Sequence, residues 1–583
     1  MLTILLAALL MTSPNPPAPE WRTPFETGGG NTTATHAECI AYYQRLATAY
    51  PAHLHLAEAG PTDSGRPLHE VVLSPDGDTD PASVRRKNRR ILFIQNGIHP
   101  GEPEGIDASM MLARDLMQQP KLQKLLATVT VVIVPIYNVE GALNRNSTTR
   151  ANQNGPAEYG FRGNARHLDL NRDYIKQDSR NARSFAALFQ KWQPDVFVDT
   201  HTSNGADYQY TMTLIPTQHS KLAPALGRYL QQQLLPALYK GMDKKKWPMT
   251  PYVDFNGQTP ESGLRAFLET PRYSTGYAAL FNTIGFMPET HMLKAFAPRV
   301  HATYDFLKTM LETVGQQAEL LAAARAQATA DLATQSTFPL AWTLDESQHE
   351  TVQFRGYEGR MKPSDVSGQP RLYYDRTAPF TRPVKHYNTY QPTATATRPT
   401  AYLIPQAWGE VVEILRRNGA TLEPLAADVT LPVEVQYLED YKTSPRAYEG
   451  HYLHSQVKLR TATETVAFHR GDYVVYLRAG APIRYLLETL EPQATDSFFA
   501  WGFFDSVLQQ KEHFSDYVFE DLAADLLRRD PALRERLEAL KKQNPAFASN
   551  GAAQLEWVYL NSPYHEKGFN RYPVARWLGT GQL

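Results

Sequence analysis

Four consecutive apolar residues, Ile91-Leu92-Phe93-Ile94, run into the kinked turn His99-Pro100-Gly101-Glu102-Pro103-Glu104, and helix-like spacing starts near Ile106. No other stretch narrows the fold as much. A strand end followed by a tight turn fixes the backbone, so an imidazole and a carboxylate three residues apart can converge on one cation, and that ligand pair suits zinc. The same H-x-x-E spacing recurs in His55-Leu56-Ala57-Glu58, inside the alternating stretch HLHLAEAG, and is read there as chance. The weight therefore falls on residues farther along the chain.

From about residue 40 to 325 short apolar runs alternate with helical-period segments, the pattern of a layered α/β domain. Expected strands are Val71 to Leu73, Ile91 to Ile94, Val129 to Pro135, Val196 to Thr200, Thr211 to Leu214 and Ile284 to Pro288. Expected helices are Ile106 to Leu116, Asn181 to Trp192, Leu222 to Leu238 and Ala297 to Thr313, with Gln316 to Ala333 as a final helix leading out of the domain. Beyond it the texture changes. Phe338 to Thr400 is crowded with Pro, Thr, Tyr and Arg, and Asn388 to Thr400 reads as a linker or an extended edge segment. Strand-like runs at Val466 to Phe468 and Tyr473 to Leu477, then a charged helical region from Phe519 to Lys542, suggest an α+β accessory domain.

At 583 residues the chain is long enough for two such domains: a catalytic domain over 20–333 and an accessory domain over 334–583. Lys plus Arg number 59 against 60 Asp plus Glu, a net charge of -1, so bulk charge gives no argument for a nucleic-acid partner. Cys39 is the single cysteine, so a metal site must be built from His and carboxylate. Leu2 to Met11 has the length of a signal h-region and Thr12 to Pro19 resembles a processing region, although no Lys or Arg precedes Arg22. The expectation is a signal peptide over 1–19, an extracytoplasmic location and no integral membrane segment.

Further site candidates lie in order along the chain. His201 follows the buried-type strand Val196-Phe197-Val198-Asp199-Thr200, and with His99 and Glu102 it makes a three-ligand set that leaves one position for water. Glu289 follows Ile284-Gly285-Phe286-Met287-Pro288 and fits a carboxylate that takes the water's proton; Glu269 is its rival. In Leu168-Asp169-Leu170-Asn171-Arg172-Asp173 a uniform strand would point Asn171 and Arg172 apart, whereas a bend lets both grip an anion such as a free carboxylate. The plainer alternative is an ion pair between Arg172 and Asp173. Arg150 is a further cation suited to stabilising an oxyanion.

These residues, H-x-x-E, an arginine, D-x-N-R, a strand-end His and a strand-end Glu, stand in the order that resembles the zinc carboxypeptidases of the M14, or funnelin, type. The resemblance covers about residues 40 to 325. It implies one Zn2+ per catalytic domain held by His99, Glu102 and His201, with Asp169 orienting a ligand imidazole. Arg150 would support the oxyanion, Asn171 and Arg172 would hold the substrate carboxylate, and Glu289 would be base and then acid. The fold it implies is a mixed, twisted sheet of about eight strands flanked by helices, and the implied substrate is a peptide, or peptide-like molecule, with a free C-terminal carboxylate. The family's substrate-capping tyrosine falls on Tyr273 or Tyr277. The alternatives are a zinc amidohydrolase acting on N-acyl amino acids or peptidoglycan peptides, and a non-catalytic binding protein with a degenerate peptidase domain.

Overall fold

Strands that read as unbroken apolar runs must be covered on both faces, and the core is built on three of them. In the computed structural model, which describes residues 17–583, the chain lays down β1 (Leu54–Pro61), β2 (Pro67–Leu73), β3 (Arg90–Gln95), β4 (Val129–Val134), β5 (Val196–Asp199), β6 (His201–Ser203), β7 (Met212–Pro216), β8 (Met249–Pro251), β9 (Leu264–Arg265) and β10 (Ile284–His291). All but β9 form one nine-stranded sheet in the order β1-β2-β4-β3-β5-β10-β7-β8, with β6 beside β10. The sheet is mixed. Its centre, β4-β3-β5-β10, is parallel, while β1, β2 and β7 join antiparallel. Every residue of β3, β4 and β5 is buried.

Side chains alternate along a strand, so each central strand feeds two helical layers. Leu92 and Ile94 belong to one core with residues of α1 (His36–Ala49), α2 (Glu104–Gln118) and α5 (Phe296–Gln316), among them Leu112, Leu116, Phe306 and Met310. Phe93 points the other way, where Phe185 and Phe189 of α3 (Arg180–Trp192) and Phe197 pack around it at ring-centroid distances of 5.7 to 6.4 Å. The first unit also holds the short α4 (Ser274–Ala279) and α6 (Ala318–Thr334). Cys39 is wholly buried in α1, and burial pushes its thiol up.

Past α6 the chain continues in strands. β11 (Thr337–Leu344) pairs with β14 (Tyr390–Thr397), so Asn388 to Thr400 contains an extended edge segment; the long hairpin β12 (Glu350–Pro363) and β13 (Pro370–Tyr387) adds β9 at its side. The described residues divide into two compact units, one of residues 17–398, 413–420 and 478–497, the other of 399–412, 421–477 and 498–583. The second holds a six-stranded sheet, with β15 (Ala401–Ile404), β16 (Glu423–Pro424), β17 (Val429–Thr443), β18 (His454–Phe468), β19 (Tyr473–Tyr476) and β20 (Ala575–Trp577) in the order β16-β19-β15-β20-β17-β18. It also carries the helices Asp516–Arg529 and Pro531–Gln543.

Some elements differ from the sequence expectation, and proline explains two of them. The helix expected over Leu222 to Leu238 is Pro224–Tyr229, a π turn at Leu230–Leu234, and Leu235–Lys244; Pro236 has no N–H to give the preceding turn. The charged helix breaks at Asp530-Pro531, where Asp530 Oδ1 accepts the Leu533 N–H at 2.9 Å and starts a new helix. The strand expected over Ile284 to Pro288 runs on to His291, so Glu289 sits inside it. Residues 1–16 of the expected signal peptide lie outside the described residues.

Gly105, in the first turn of α2, faces Thr200 and Asn96, and a Cβ there would collide with Thr200 Oγ1 and Asn96 Oδ1. Thr200 immediately precedes His201, so Gly105→Ala is expected to destabilise the protein by about 1–3 kcal/mol and to weaken metal retention. Thermal unfolding with metal analysis of the purified variant checks both.

Candidate active site

Strand register brings the candidate ligands together. β3 and β5 are parallel neighbours with Gln95 opposite Asp199, so the turn after β3 and the start of β6 open at the same edge of the sheet. The turn is closed by the Glu102 N–H donating to His99 O at 2.8 Å. β10 runs parallel to β6 with Glu289 directly opposite His201. Three distant stretches of sequence thus deliver four side chains to one place.

His99, Glu102 and His201 are all buried, and each offers one ligand atom such that the three lie within 4.8 Å of one another. His99 Nδ1 is 3.3 Å from Glu102 Oε1, and His201 Nδ1 is 3.2 Å from Glu102 Oε2. The other nitrogen of each ring is held from behind: His99 Nε2 by Asp169 Oδ1 at 2.9 Å, His201 Nε2 by Asp199 Oδ2 at 3.0 Å. A carboxylate on Nε2 fixes the tautomer that turns the Nδ1 lone pair inward. His99 Nδ1 is buried without a hydrogen-bond partner. Two imidazole nitrogens and one carboxylate with this spacing fit a zinc ion, whose bonds to such ligands are about 2 Å long.

The charges point the same way. Burial alone would raise the pKa of Glu102, yet His99, Arg150 and His201 hold it well below the usual range. Asp169 is likewise held far down, against its burial, by His99, Arg162 and Arg172. On His201 burial is outweighed by Asp199 and Glu102, and the ring keeps its proton well above the ordinary pKa. That proton supplies positive charge where a metal cation would supply it. Glu289 differs, for burial pushes it up to about 8, with His201 opposing and Glu102 adding to the shift.

His99, Glu102, His201 and Glu289 line a cleft of about 530 Å3 that also exposes Arg150, Arg162, Asn171, Arg172 and Tyr273, with an apolar wall of Ile215, Tyr252, Phe267 and Met287. The D-x-N-R segment is bent, as the anion-gripping reading requires: Leu170–Arg172 is a single helical turn capped by Asp169, which accepts the Asn171 N–H at 2.9 Å. Asp173 is buried and holds the Lys176 ammonium at 3.0 Å together with the Ser179 N–H and hydroxyl. The Tyr273 ring lies over Arg172, whose guanidinium carbon is 4.3 Å from the ring centre. Tyr277 is not brought to the cleft; it is fully buried and donates to Asn418 Oδ1 at 2.6 Å. Glu269 is also absent from the cleft, buried beside Lys221, which donates to its main-chain carbonyl. His55 and Glu58 lie on the edge strand β1, outside the cluster.

Two residues of the site escaped the sequence reading. Asp199 is one, and strand alternation was its signal, since residues 199 and 201 share a face. Arg162 is the other. It donates from Nε to Asp169 Oδ2 at 2.9 Å, and its side chain is 44% exposed. Arg150, at 14% exposed, is turned onto Glu102 Oε1 at 2.9 Å and Gln153 Oε1 at 2.6 Å.

Residues 39–240 match the zinc carboxypeptidase family. Carboxypeptidase 2 of Trichophyton rubrum is 24% identical over 493 residues, covering 81% of this chain and 85% of the relative. Carboxypeptidase 2 of Trichophyton tonsurans is 23% identical over 460 residues, 76% of this chain and 78% of the relative. A solved structure, the carboxypeptidase A from Helicoverpa armigera, is 15% identical and covers 51% of this chain and 75% of its own, with a TM-score of 0.37. The family match spans the turn that carries His99 and Glu102, the Asn171-Arg172 bend and His201, and over these residues the chain is similar to the zinc carboxypeptidases.

Proposed function

We propose that the protein is a zinc-dependent carboxypeptidase that hydrolyses the last peptide bond of a peptide with a free C-terminal carboxylate. The observation that carries this reading is the inward-facing His99-Glu102-His201 set with Glu289 opposite His201 in the register of β6 and β10. A zinc ion held by that set would supply Lewis acidity, lowering the pKa of water to about 7 and polarising the scissile carbonyl. Glu289 takes the proton of the attacking water and returns it to the departing amine. Asn171 and Arg172 receive the terminal carboxylate, a planar fork matched to a planar anion, with Tyr273 above them.

Ile215, Tyr252, Phe267 and Met287 form the wall beside this grip, which suits an apolar terminal side chain. Both arginines are held by carboxylates, Arg150 by Glu102 and Arg162 by Asp169 and Glu102, and Arg162 is taken as the one to face the oxyanion because its side chain is the more exposed, 44% against 14%. The apolar run Leu2 to Met11 supports an extracytoplasmic site of action, and among the described residues no helix is long and apolar enough to cross a membrane.

Glu289→Gln is expected to keep its metal and lose turnover by about a thousandfold or more, whereas His201→Ala should lose the metal itself; metal analysis beside a chelator-controlled peptide assay separates the two. A Glu289→Gln variant that remains active would refute the mechanism. In a second assay, Arg162→Ala is expected to lower kcat by about a hundredfold and Arg150→Ala by less. The reverse order would return the oxyanion role to Arg150.

The raised pKa of Glu289 also has a thermodynamic sign. In metal-free protein the folded state keeps this proton up to about pH 8, while the unfolded chain releases it near the ordinary glutamate value of about 4.3. The folded state then binds the extra proton, so stability falls as pH rises through that window. Denaturant unfolding of chelated protein between pH 5 and pH 8 should show this decline. It should be shallower in Glu289→Gln and in zinc-loaded protein, and equal slopes in all three would contradict the assignment.

A further inference from the structure

The segment that carries Tyr273 is held by a residue far away in the chain. Residues 478–497, including α7 (Ile483–Leu490), pack within the same compact unit as the candidate active site. Their Asp496 is fully buried and closes on Arg272 with both carboxylate oxygens. Oδ2 accepts the Arg272 backbone N–H at 2.9 Å, and Oδ1 accepts Nε at 2.8 Å and lies 2.7 Å from the second guanidinium nitrogen. Main chain and side chain of residue 272 are therefore fixed together.

The next two residues are fixed from the cleft side. Tyr273 lies over the Arg172 guanidinium and meets the edge of Phe267 at a ring-centroid distance of 5.2 Å. The Ser274 N–H donates to Asn171 Oδ1 at 3.1 Å. Asn171 and Arg172 thus touch one side of a three-residue segment whose other side is held by Asp496. Asp496 is itself oriented, since its N–H donates to Glu488 Oε1 at 3.1 Å, and α7 is seated by Tyr485 stacked on Phe281 at 5.4 Å and by Arg484 donating to Lys221 O at 2.6 Å.

A buried carboxylate–guanidinium pair gives little net stability, because desolvation offsets most of the attraction. Its fixed fork geometry does set position. We propose that Asp496 is a positioning residue for substrate binding: through Arg272 it holds Tyr273 above Arg172, so that the terminal carboxylate of the peptide meets a preformed grip. The proposal rests on the carboxypeptidase reading of Asn171, Arg172 and Tyr273.

The test uses the full-length, zinc-loaded protein and steady-state kinetics on one apolar peptide with a free C-terminus. Asp496→Asn and Arg272→Gln are each expected to raise KM about tenfold while kcat stays within about twofold and zinc content is unchanged. The double variant should be no worse than either single one, as for two residues acting through one contact. Arg172→Ala is measured alongside as the reference for the grip. If KM rises in Arg172→Ala but stays within twofold of the parent in folded Asp496→Asn and Arg272→Gln, the positioning role is overturned and the functional reading stands. If KM is unmoved in Arg172→Ala as well, both fall. A loss shared by kcat and zinc content would mark Asp496 as merely structural and also overturns the proposal. Should Asp496→Asn fail to fold, Arg272→Gln, whose parent side chain is 15% exposed at the rim of the contact, decides the matter by the same criteria.

Discussion

Four carboxylates, Glu102, Asp169, Asp199 and Glu289, are buried around two imidazoles, and isolated buried anions are too costly to persist. The site is built to meet that constraint with positive charge. Arg150 and Arg162 flank Glu102 and Asp169, while Asp199 and Glu102 keep a proton on His201. Glu289, last in line for compensation, holds on to its own proton. A divalent cation held by His99, Glu102 and His201 would remove the deficit: it would take the place of the imidazole proton and lower the pKa of Glu289 toward that of a usable base.

The sheet makes this density of charge tolerable in position as well as in energy. Ligands set on strand ends and in short turns of a buried sheet have few ways to move, and carboxylates behind the ring nitrogens remove the remaining rotation. Glu289 is paired with His201 by parallel strand register, so the proposed base and the proposed metal ligand cannot drift apart without breaking β10 from β6. A base inside a strand is more tightly held than one at its end.

Much of this was legible in the sequence because it is local. The apolar runs before His99, His201 and Glu289 mark buried strands, and chemistry-bearing residues where such runs stop are conspicuous. Arg162 lacks that frame, sitting in a loop of Gly160, Phe161 and Gly163, and its importance shows only once Asp169 and the cleft are in place. Asp199 was hidden by its strand, where it reads as one more buried position. Tyr273 and Tyr277 could not be told apart because what separates them is nonlocal: Tyr277 reaches Asn418, and Tyr273 stands beside Arg172 and next to a residue clamped by Asp496, 224 positions downstream of Arg272. Periodicity carries no information about contacts at that range.

Anomalous X-ray diffraction collected on both sides of the zinc absorption edge tests the central claim most directly. The account predicts one strong zinc-specific peak per chain, bounded by His99 Nδ1, His201 Nδ1 and the Glu102 carboxylate, with Glu289 across from it. A peak elsewhere, or none at those three side chains in zinc-replete crystals, would contradict it.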